Sequence, residues 1–207
     1  MKINVIGATG MIGRAVVAEA AARGHEVTAY TRTGKAVEGA SDARTLDLTD
    51  HAALVEAVNS GDVTIIAVPA GRDGQDPQPV IDAHRSLIAA QPTARIIAVG
   101  GAGSLEADES GTLIKDLPDF PAEIYPEANA FATILQDYRN SRDVDWTVVA
   151  PSPAIAPGKR TGEYVTADDV PAGEGVSTQD FAIALIDEAE NPTHRQARFT
   201  VASSGLA

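Results

Sequence analysis

The chain opens on a short, mostly apolar run, Ile3 to Ile6, that passes without a break into Gly7-Ala-Thr-Gly-Met-Ile-Gly13. Ile12, Val16 and Ala20 then recur at helical spacing, which predicts a helix from about Met11 to Arg23 with Gly24 as its C-cap. His25 to Tyr30 reads as a second strand and Ala43 to Leu48 as a short third one. Thr49 or Asp50 would cap a helix through about Asn59. Asp62 to Val68 is nearly continuous in apolar residues, the pattern of a parallel strand buried on both faces. A helix over Val80 to Ala90 and a strand over Ala94 to Val99 follow. Phe131, Ile134, Leu135 and Tyr138 stand at i, i+3, i+4 and i+7, so Pro126 to Ser141 is an amphipathic helix with its aromatics in the core. Asp145 to Val149 is the sixth strand. Strand and helix thus alternate, and the fold class predicted is α/β: a Rossmann-like doubly wound parallel sheet.

Two stretches depart from the alternation. Glu106 to Pro126 is acidic, contains prolines and has no clean period, and it reads as a loop or lid over the cleft. From Ala154 the pattern changes to a turn at Gly158 to Gly162 and a short strand at Glu163 to Thr166. Ser177-Thr-Gln-Asp180 has the form of a capping box opening a helix with Phe181, Ala184 and Leu185 inward, ending before Asn191-Pro192. Arg198 to Val201 closes the sheet. This last quarter is too small to fold alone, so the expectation is one domain over residues 1–207, with a cleft cap largely from 154–196.

Composition narrows the functional classes. Hydrophobic residues make up 44% of the chain, and no apolar run approaches the roughly 18–20 residues of a membrane span. The amino terminus begins as a strand and not as a signal peptide. Cysteine is absent, which excludes disulfides, thiolate nucleophiles and cysteine-ligated metals and fits the cytoplasm. His25, His51, His84 and His194 are scattered without ligand spacing, so no metal site is expected. A net charge of −13 argues against nucleic acid and anionic membrane as partners. What remains is a small-molecule partner and a monomer or small homo-oligomer. Up to Lys35 the balance reverses: Lys2, Arg14, Arg23, Arg32 and Lys35 face only Glu19 and Glu26, as an anionic cofactor would need.

The candidate chemistry begins at the glycines. Gly7 permits a tight turn off the strand, Gly10 lets backbone approach a pyrophosphate, and Gly13 lets helix and strand pack closely. Free N–H groups at the helix start would meet the phosphates, with Thr9, Met11 and Ile12 beside the glycines. Arg32 stands near the place where an NAD site carries its ribose-binding carboxylate. A carboxylate would repel a 2′-phosphate, whereas an arginine can hold it, with Thr31, Thr33 and Lys35 adding donors. NADPH is therefore favoured over NADH, the alternative being that Arg32 is a solvated loop residue. Asp47 can reach the adenine amino group with Leu48 against the ring, or Asp47 can simply form a turn. Ala67, Val68 and Pro69, Gly100 and Pro151 end strands at the ligand-binding edge and complete the expected cofactor contacts. Arg72 would meet an anionic group or remain a solvated charge. Ser104, after Gly100-Gly-Ala-Gly103, would stand at the rim of the cleft and orient nicotinamide or acceptor.

Gly7-Ala-Thr-Gly-Met-Ile-Gly13, Val99-Gly-Gly-Ala-Gly-Ser-Leu105 and Asp145-Trp-Thr-Val-Val-Ala-Pro-Ser152 together resemble the atypical short-chain dehydrogenase/reductases, and more narrowly the NmrA-like NAD(P)H-binding proteins of the NADH-flavin reductase group. Phe120-Pro-Ala-Glu and Arg160-Thr-Gly-Glu-Tyr are similar to that group as well. The resemblance implies a Rossmann fold with cofactor on the glycine loop. It also implies a catalytic Ser and a Tyr-x-x-x-Lys pair in typical members. Ser104 matches the Ser position. Tyr125 lies in the expected region, but Asn129 stands where the Lys would be; Tyr138-x-x-x-Arg142 has a cation, yet Tyr138 belongs to the apolar face.

The missing dyad bears on the acceptor. An alkoxide formed by hydride transfer needs prompt protonation, whereas a flavin or quinone delocalises the charge and mainly needs stacking at near-attack distance. The expectation is an NADPH-dependent flavin or quinone reductase with Ser104 and Tyr125 as the catalytic candidates and flavin as a substrate, not a held group. The alternative is a non-catalytic NAD(P)H-binding redox sensor of the NmrA type.

Overall fold

A computed structural model describes residues 1–108 and 110–206; Glu109, inside the expected lid, lies outside them. Ten strands and five helices follow one another as β1 (Lys2–Ile6), α1 (Met11–Ala22), β2 (Glu26–Thr31), β3 (Asp42–Thr45), α2 (His51–Asn59), β4 (Val63–Ile66), α3 (Gln78–Ala90), β5 (Arg95–Val99), α4 (Tyr125–Asn140), β6 (Trp146–Pro151), β7 (Ala154–Ala156), β8 (Val165–Ala167), β9 (Gly175–Ser177), α5 (Thr178–Glu190) and β10 (Ala197–Ala202). Eight strands form one sheet in the order β3-β2-β1-β4-β5-β6-β10-β8, parallel except for the edge pair β10–β8. The chain is thus an α/β protein with a Rossmann-like sheet.

Side-chain alternation assigns the two faces. Ile3, Val5, Val63, Ile65, Ile97, Val99 and Val149 point to the face covered by α1 and α5. Ile6, Ile66, Ile96, Ala98, Trp146 and Val148 point to the face covered by α2, α3 and α4. Strands buried on both faces read as continuous apolar runs for this reason. Asn4 interrupts the run, and its amide donates to the Ala57 carbonyl at 2.7 Å, so the buried polar group is satisfied.

Several boundaries differ from the sequence reading. β3 ends at Thr45, and Leu46 to Leu48 continue as the loop towards α2. Asp50, not Thr49, caps α2 by accepting from the Ala53 N–H at 3.0 Å. β4 stops at Ile66, so Ala67 and Val68 are already in the loop over the cleft. Ser177 caps α5 as the box pattern predicted, accepting from the Asp180 N–H at 3.1 Å. The 154–196 stretch is not mainly a cap, because α5 packs beside α1 in the core. Only the short parallel pair β7–β9 and the loops around it lie outside the main sheet; strands of three residues carry too little periodicity to be seen in a sequence.

Candidate functional site

All strands of the main sheet but β8 run the same way, so the loops after β1 to β6 gather at one edge, where open α/β sheets bind ligands. The glycine turn sits at its centre. Gly7 has φ +85°, and a Cβ there would lie 2.4 Å from the Ala67 carbonyl oxygen, so only glycine fits against the end of β4. A Cβ at Gly13 would lie 2.2 Å from the Gly7 carbonyl oxygen, which is how closely α1 packs on the turn. Gly10 is exposed and serves as the N-cap of α1 with no side-chain cap and no acidic residue in the first turn. The first backbone acceptor in the helix is Gly10 itself, which takes the Arg14 N–H at 3.0 Å. The Met11, Ile12 and Gly13 N–H groups come before that bond, at the positive end of the helix dipole, while the Gly7 and Ala8 N–H groups donate to the Tyr30 carbonyl and the Gly10 N–H to the Gly7 carbonyl. Thr9 and Met11 are exposed on this loop and Ile12 is partly buried against the core. A pyrophosphate fits such a cradle.

Most of the cations are committed to carboxylates. Arg23, Arg44, Arg72, Arg85, Arg95, Lys115, Arg139, Arg160, Arg195 and Arg198 are all in ion pairs. Among the described residues, six cations are in none: Arg14, Arg32 and Lys35, on α1 and the loop after β2, and also Lys2, Arg142 and Lys159. Arg14 and Lys35 line a groove of about 490 Å³ with Thr9, Val37 and Glu38, between α1 and the loop after β2. Arg14 is turned over the glycine loop by its Nε–H, which donates to the Thr9 carbonyl at 2.9 Å. Sequence reasoning counted Arg14 as a basic residue without giving it a place in the site; its position one residue after Gly13, on the first turn of the helix, was the available signal. Arg32 is exposed at the end of β2.

Asp47 adopts the turn alternative. Its Oδ1 accepts from the Thr49 N–H at 2.9 Å and the Thr49 hydroxyl at 2.8 Å. These bonds, with a smaller contribution from the charge of Arg32, hold its carboxyl below the usual range. Leu48 is partly buried against the core. Ala67 and Val68 touch the Gly7 turn, and Pro69 is exposed beyond them. Gly100 and Pro151 are buried at the ends of β5 and β6. Arg72 is not a free charge: it pairs with Glu127 of α4 at 3.3 Å.

Ser104 requires a correction. It does not stand at the rim but is 2% exposed. Its hydroxyl donates to the Gly101 carbonyl at 2.7 Å and accepts from Arg198 at 3.2 Å. Arg198 also donates to the Ser104 carbonyl at 2.6 Å and to Asp169. One buried guanidinium therefore ties the loop after β5 to the segment after β8, and Ser104 is part of that knot.

Tyr125 is 41% exposed at the start of α4. A helix that leads into a parallel strand begins at the carboxyl edge, so Tyr125 opens onto the same side as the glycine loop. Asn129, four residues on, is exposed and offers no cation. The cation comes from elsewhere: Lys115 Nζ lies over the Tyr125 ring, 5.3 Å from its centroid. Tyr138 is fully buried and bonded to His84 Nδ1 at 2.9 Å, so it is core as expected. No described helix is long and apolar enough to cross a membrane.

The chain is similar to known proteins along most of its length. The family model described as NAD(P)H-binding matches residues 7–192. The uncharacterized protein YwnB of Bacillus subtilis (strain 168) is 38% identical, over 98% of this chain and 99% of its own. Among solved structures, a "putative NADH-flavin reductase" from Streptococcus pneumoniae TIGR4 superposes with a TM-score of 0.87 at 32% identity, covering 99% of this chain and 100% of its own. A "putative exported protein" from Burkholderia pseudomallei gives 0.85 at 33% identity, covering 98% and 100%.

Proposed function

The chain belongs to the NAD(P)H-binding family, with the Rossmann architecture of an atypical short-chain dehydrogenase/reductase, and from that premise we propose that it is an NADPH-dependent oxidoreductase that passes hydride to a flavin or quinone. The observation that carries the reading is the glycine turn itself, where Gly7 and Gly13 leave no room for a Cβ and the start of α1 has no side-chain cap, with Arg14 and Lys35 in the groove beside it and Arg32 exposed after β2, none of the three in an ion pair. In an acidic protein, cations without carboxylates are the groups left to meet a ligand's anionic charge.

Gly7, Thr9, Gly10, Met11, Ile12 and Gly13 would hold the pyrophosphate, the glycines by letting it approach the backbone and Met11 and Ile12 through their N–H groups at the start of α1. Arg32, with Lys35 and Arg14 beside it, would hold the 2′-phosphate. Asp47 and Leu48 would border the adenine, while Ala67, Val68 and Pro69, with Gly100 and Pro151 behind them, would shape the floor towards the nicotinamide. When bound, the reduced nicotinamide supplies the hydride. The protein's part is to position the acceptor and limit water around it. The flavin acts as a substrate that arrives and leaves. The similarity to the streptococcal "putative NADH-flavin reductase" supports the acceptor class.

The test is oxidation of NADPH by the purified protein, followed optically, with FMN, FAD and a small quinone, and repeated with NADH. Turnover that prefers NADPH supports the reading. Tight binding of NADPH with no turnover on any acceptor would replace it with a redox sensor that reports the cofactor to a partner.

A further inference from the structure

Sulfur is scarce in this chain, which has no cysteine and two methionines, Met1 and Met11. Both side chains are exposed, Met1 by 44% and Met11 by 41%. With no thiol to react first, these two thioethers are the sulfur groups within an oxidant's reach, and exposure selects between side chains of this kind. The strand β1 separates them by about 17 Å, Met1 at the amino edge of the sheet and Met11 beyond the carboxyl edge. Only Met11 lies where a ligand is expected. It is the first residue of α1, next to the exposed Thr9 and Gly10, at a helix start with no side-chain cap and no acidic residue in the first turn. Its own N–H, with those of Ile12 and Gly13, comes before the bond from the Arg14 N–H to the Gly10 carbonyl. An oxidisable group therefore stands among the donors that a pyrophosphate would use.

Oxidation changes that surface. A sulfoxide is polar, and its oxygen accepts hydrogen bonds well, whereas a thioether sulfur accepts them weakly. At the start of α1 such an oxygen meets the positive end of the helix dipole and competes with a phosphate for the same N–H groups. We propose that Met11 is a modification site, and that its oxidation by a peroxide weakens dinucleotide binding at the turn. The inference rests on the part of the reading above that seats the pyrophosphate there; the identity of the acceptor plays no part in it. In the step, the Met11 sulfur attacks one oxygen of hydrogen peroxide and the O–O bond breaks. An S–O bond forms, the proton on that oxygen passes to the departing hydroxide, and water leaves. Sulfur gives up two electrons and peroxide takes them. The change is reversible, because sulfoxide reductases return methionine, so an oxidised chain is set aside and not destroyed.

The experiment uses Met1 as a reference within the same chain. The cofactor-free protein is treated with excess hydrogen peroxide, with and without NADP+, and both methionines are followed by peptide mass spectrometry. Both should oxidise in the free protein. NADP+ at a hundred times its Kd should slow oxidation of Met11 about ten-fold or more and leave Met1 unchanged. Once the peroxide is removed, calorimetric titration should show NADPH bound about ten-fold more weakly than by untreated protein, with an unaltered urea melt. A methionine sulfoxide reductase with its thiol reductant should restore the affinity. Met11→Leu, whatever its own starting affinity, should keep that affinity through the peroxide treatment. Complete oxidation of Met11 with NADPH affinity unchanged would overturn the proposal and leave the cofactor reading intact. So would Met11 oxidation that NADP+ does not slow, or a loss of affinity that persists in Met11→Leu. Untreated wild type that binds neither NADPH nor NADH would overturn the cofactor reading itself, and the proposal with it.

Discussion

Between Lys2 and Thr31, strand, glycine turn, helix and second strand follow one another without insertion, and the groups expected to meet a pyrophosphate all lie within Gly7 to Gly13. Across the cleft the arrangement is the opposite. Ser104, Lys115, Tyr125, Asp169 and Arg198 come from five separate segments and are joined by contacts that span up to 94 residues of chain. The first region is built by local rules of turn and helix geometry. The second exists only after the sheet has closed, and its charges are spent on each other: Arg198 on Ser104 and Asp169, Lys115 on Asp116, Arg72 on Glu127. Arg14, Arg32 and Lys35, which are in no ion pair, belong to the local side, where a charged ligand would enter, whereas Arg72, Lys115 and Arg198, all paired, frame the side where a neutral, aromatic acceptor would lie.

If long-range pairs hold the second region, the largest effect should come from breaking the most buried one. Arg95 at the start of β5 and Glu188 of α5 form a buried pair, and Arg95 also donates to the Thr147 hydroxyl at 2.7 Å. Arg95→Met should destabilise the protein by about 3–5 kcal/mol in a urea melt, because it leaves the Glu188 charge without its guanidinium. Burial works to raise the Glu188 pKa, but bonds from His194, Arg95 and the His194 and Thr193 N–H groups outweigh it and hold it at about 2. Its stabilising contribution is present above the unfolded value of 4.5 and lost as pH falls towards 2.

His84, on the other face, adds a separate window. Burial pushes it down to about 4 from 6.5, so folding favours the neutral ring. That contribution is complete above pH 6.5 and fades as pH falls towards 4. Urea midpoints measured between pH 7 and 4 should decline in wild type and lose this part of the decline in His84→Gln.

The local region should respond differently. Gly13→Ala pushes a Cβ onto the Gly7 carbonyl and should cost about 1–3 kcal/mol of stability together with most of the cofactor affinity. Arg32→Ala should leave the melt unchanged and weaken NADPH, but not NADH, about ten-fold or ~1.4 kcal/mol. The smallest effect is expected for Arg72→Ala. Arg72 is 59% exposed although its partner Glu127 is only 13% exposed, so the pair should contribute no more than about 1 kcal/mol to a melt; a larger loss would mean that the loop after β4 is a structural strap and not a free margin of the cleft.

The same contrast explains what the sequence could reveal. The order of strands and helices was legible because parallel strands buried on both faces, as at Val63–Ile66 and Arg95–Val99, leave continuous apolar runs. The glycine turn was legible because its constraints fall on neighbouring residues. Ser104 was misplaced because its neighbours in sequence are glycines, while the partner that buries it, Arg198, lies in the last strand. Lys115 escaped notice because a Tyr–Lys relation was sought at i, i+4 on one helix, and the lysine beside Tyr125 comes from ten residues earlier in an aperiodic loop. Three-residue strands such as β7 and β9 are stabilised by pairing with each other, not by a pattern either carries alone.

The central claim is that residues 7–13, with Arg14, Arg32 and Lys35, bind a dinucleotide that carries a 2′-phosphate. Calorimetric titration of the cofactor-free protein with NADPH and with NADH tests it most directly. The account predicts one site per chain, NADPH bound about ten-fold or more tightly than NADH, and that preference abolished in Arg32→Ala. Equal affinities, or a preference for NADH that survives in Arg32→Ala, would contradict it.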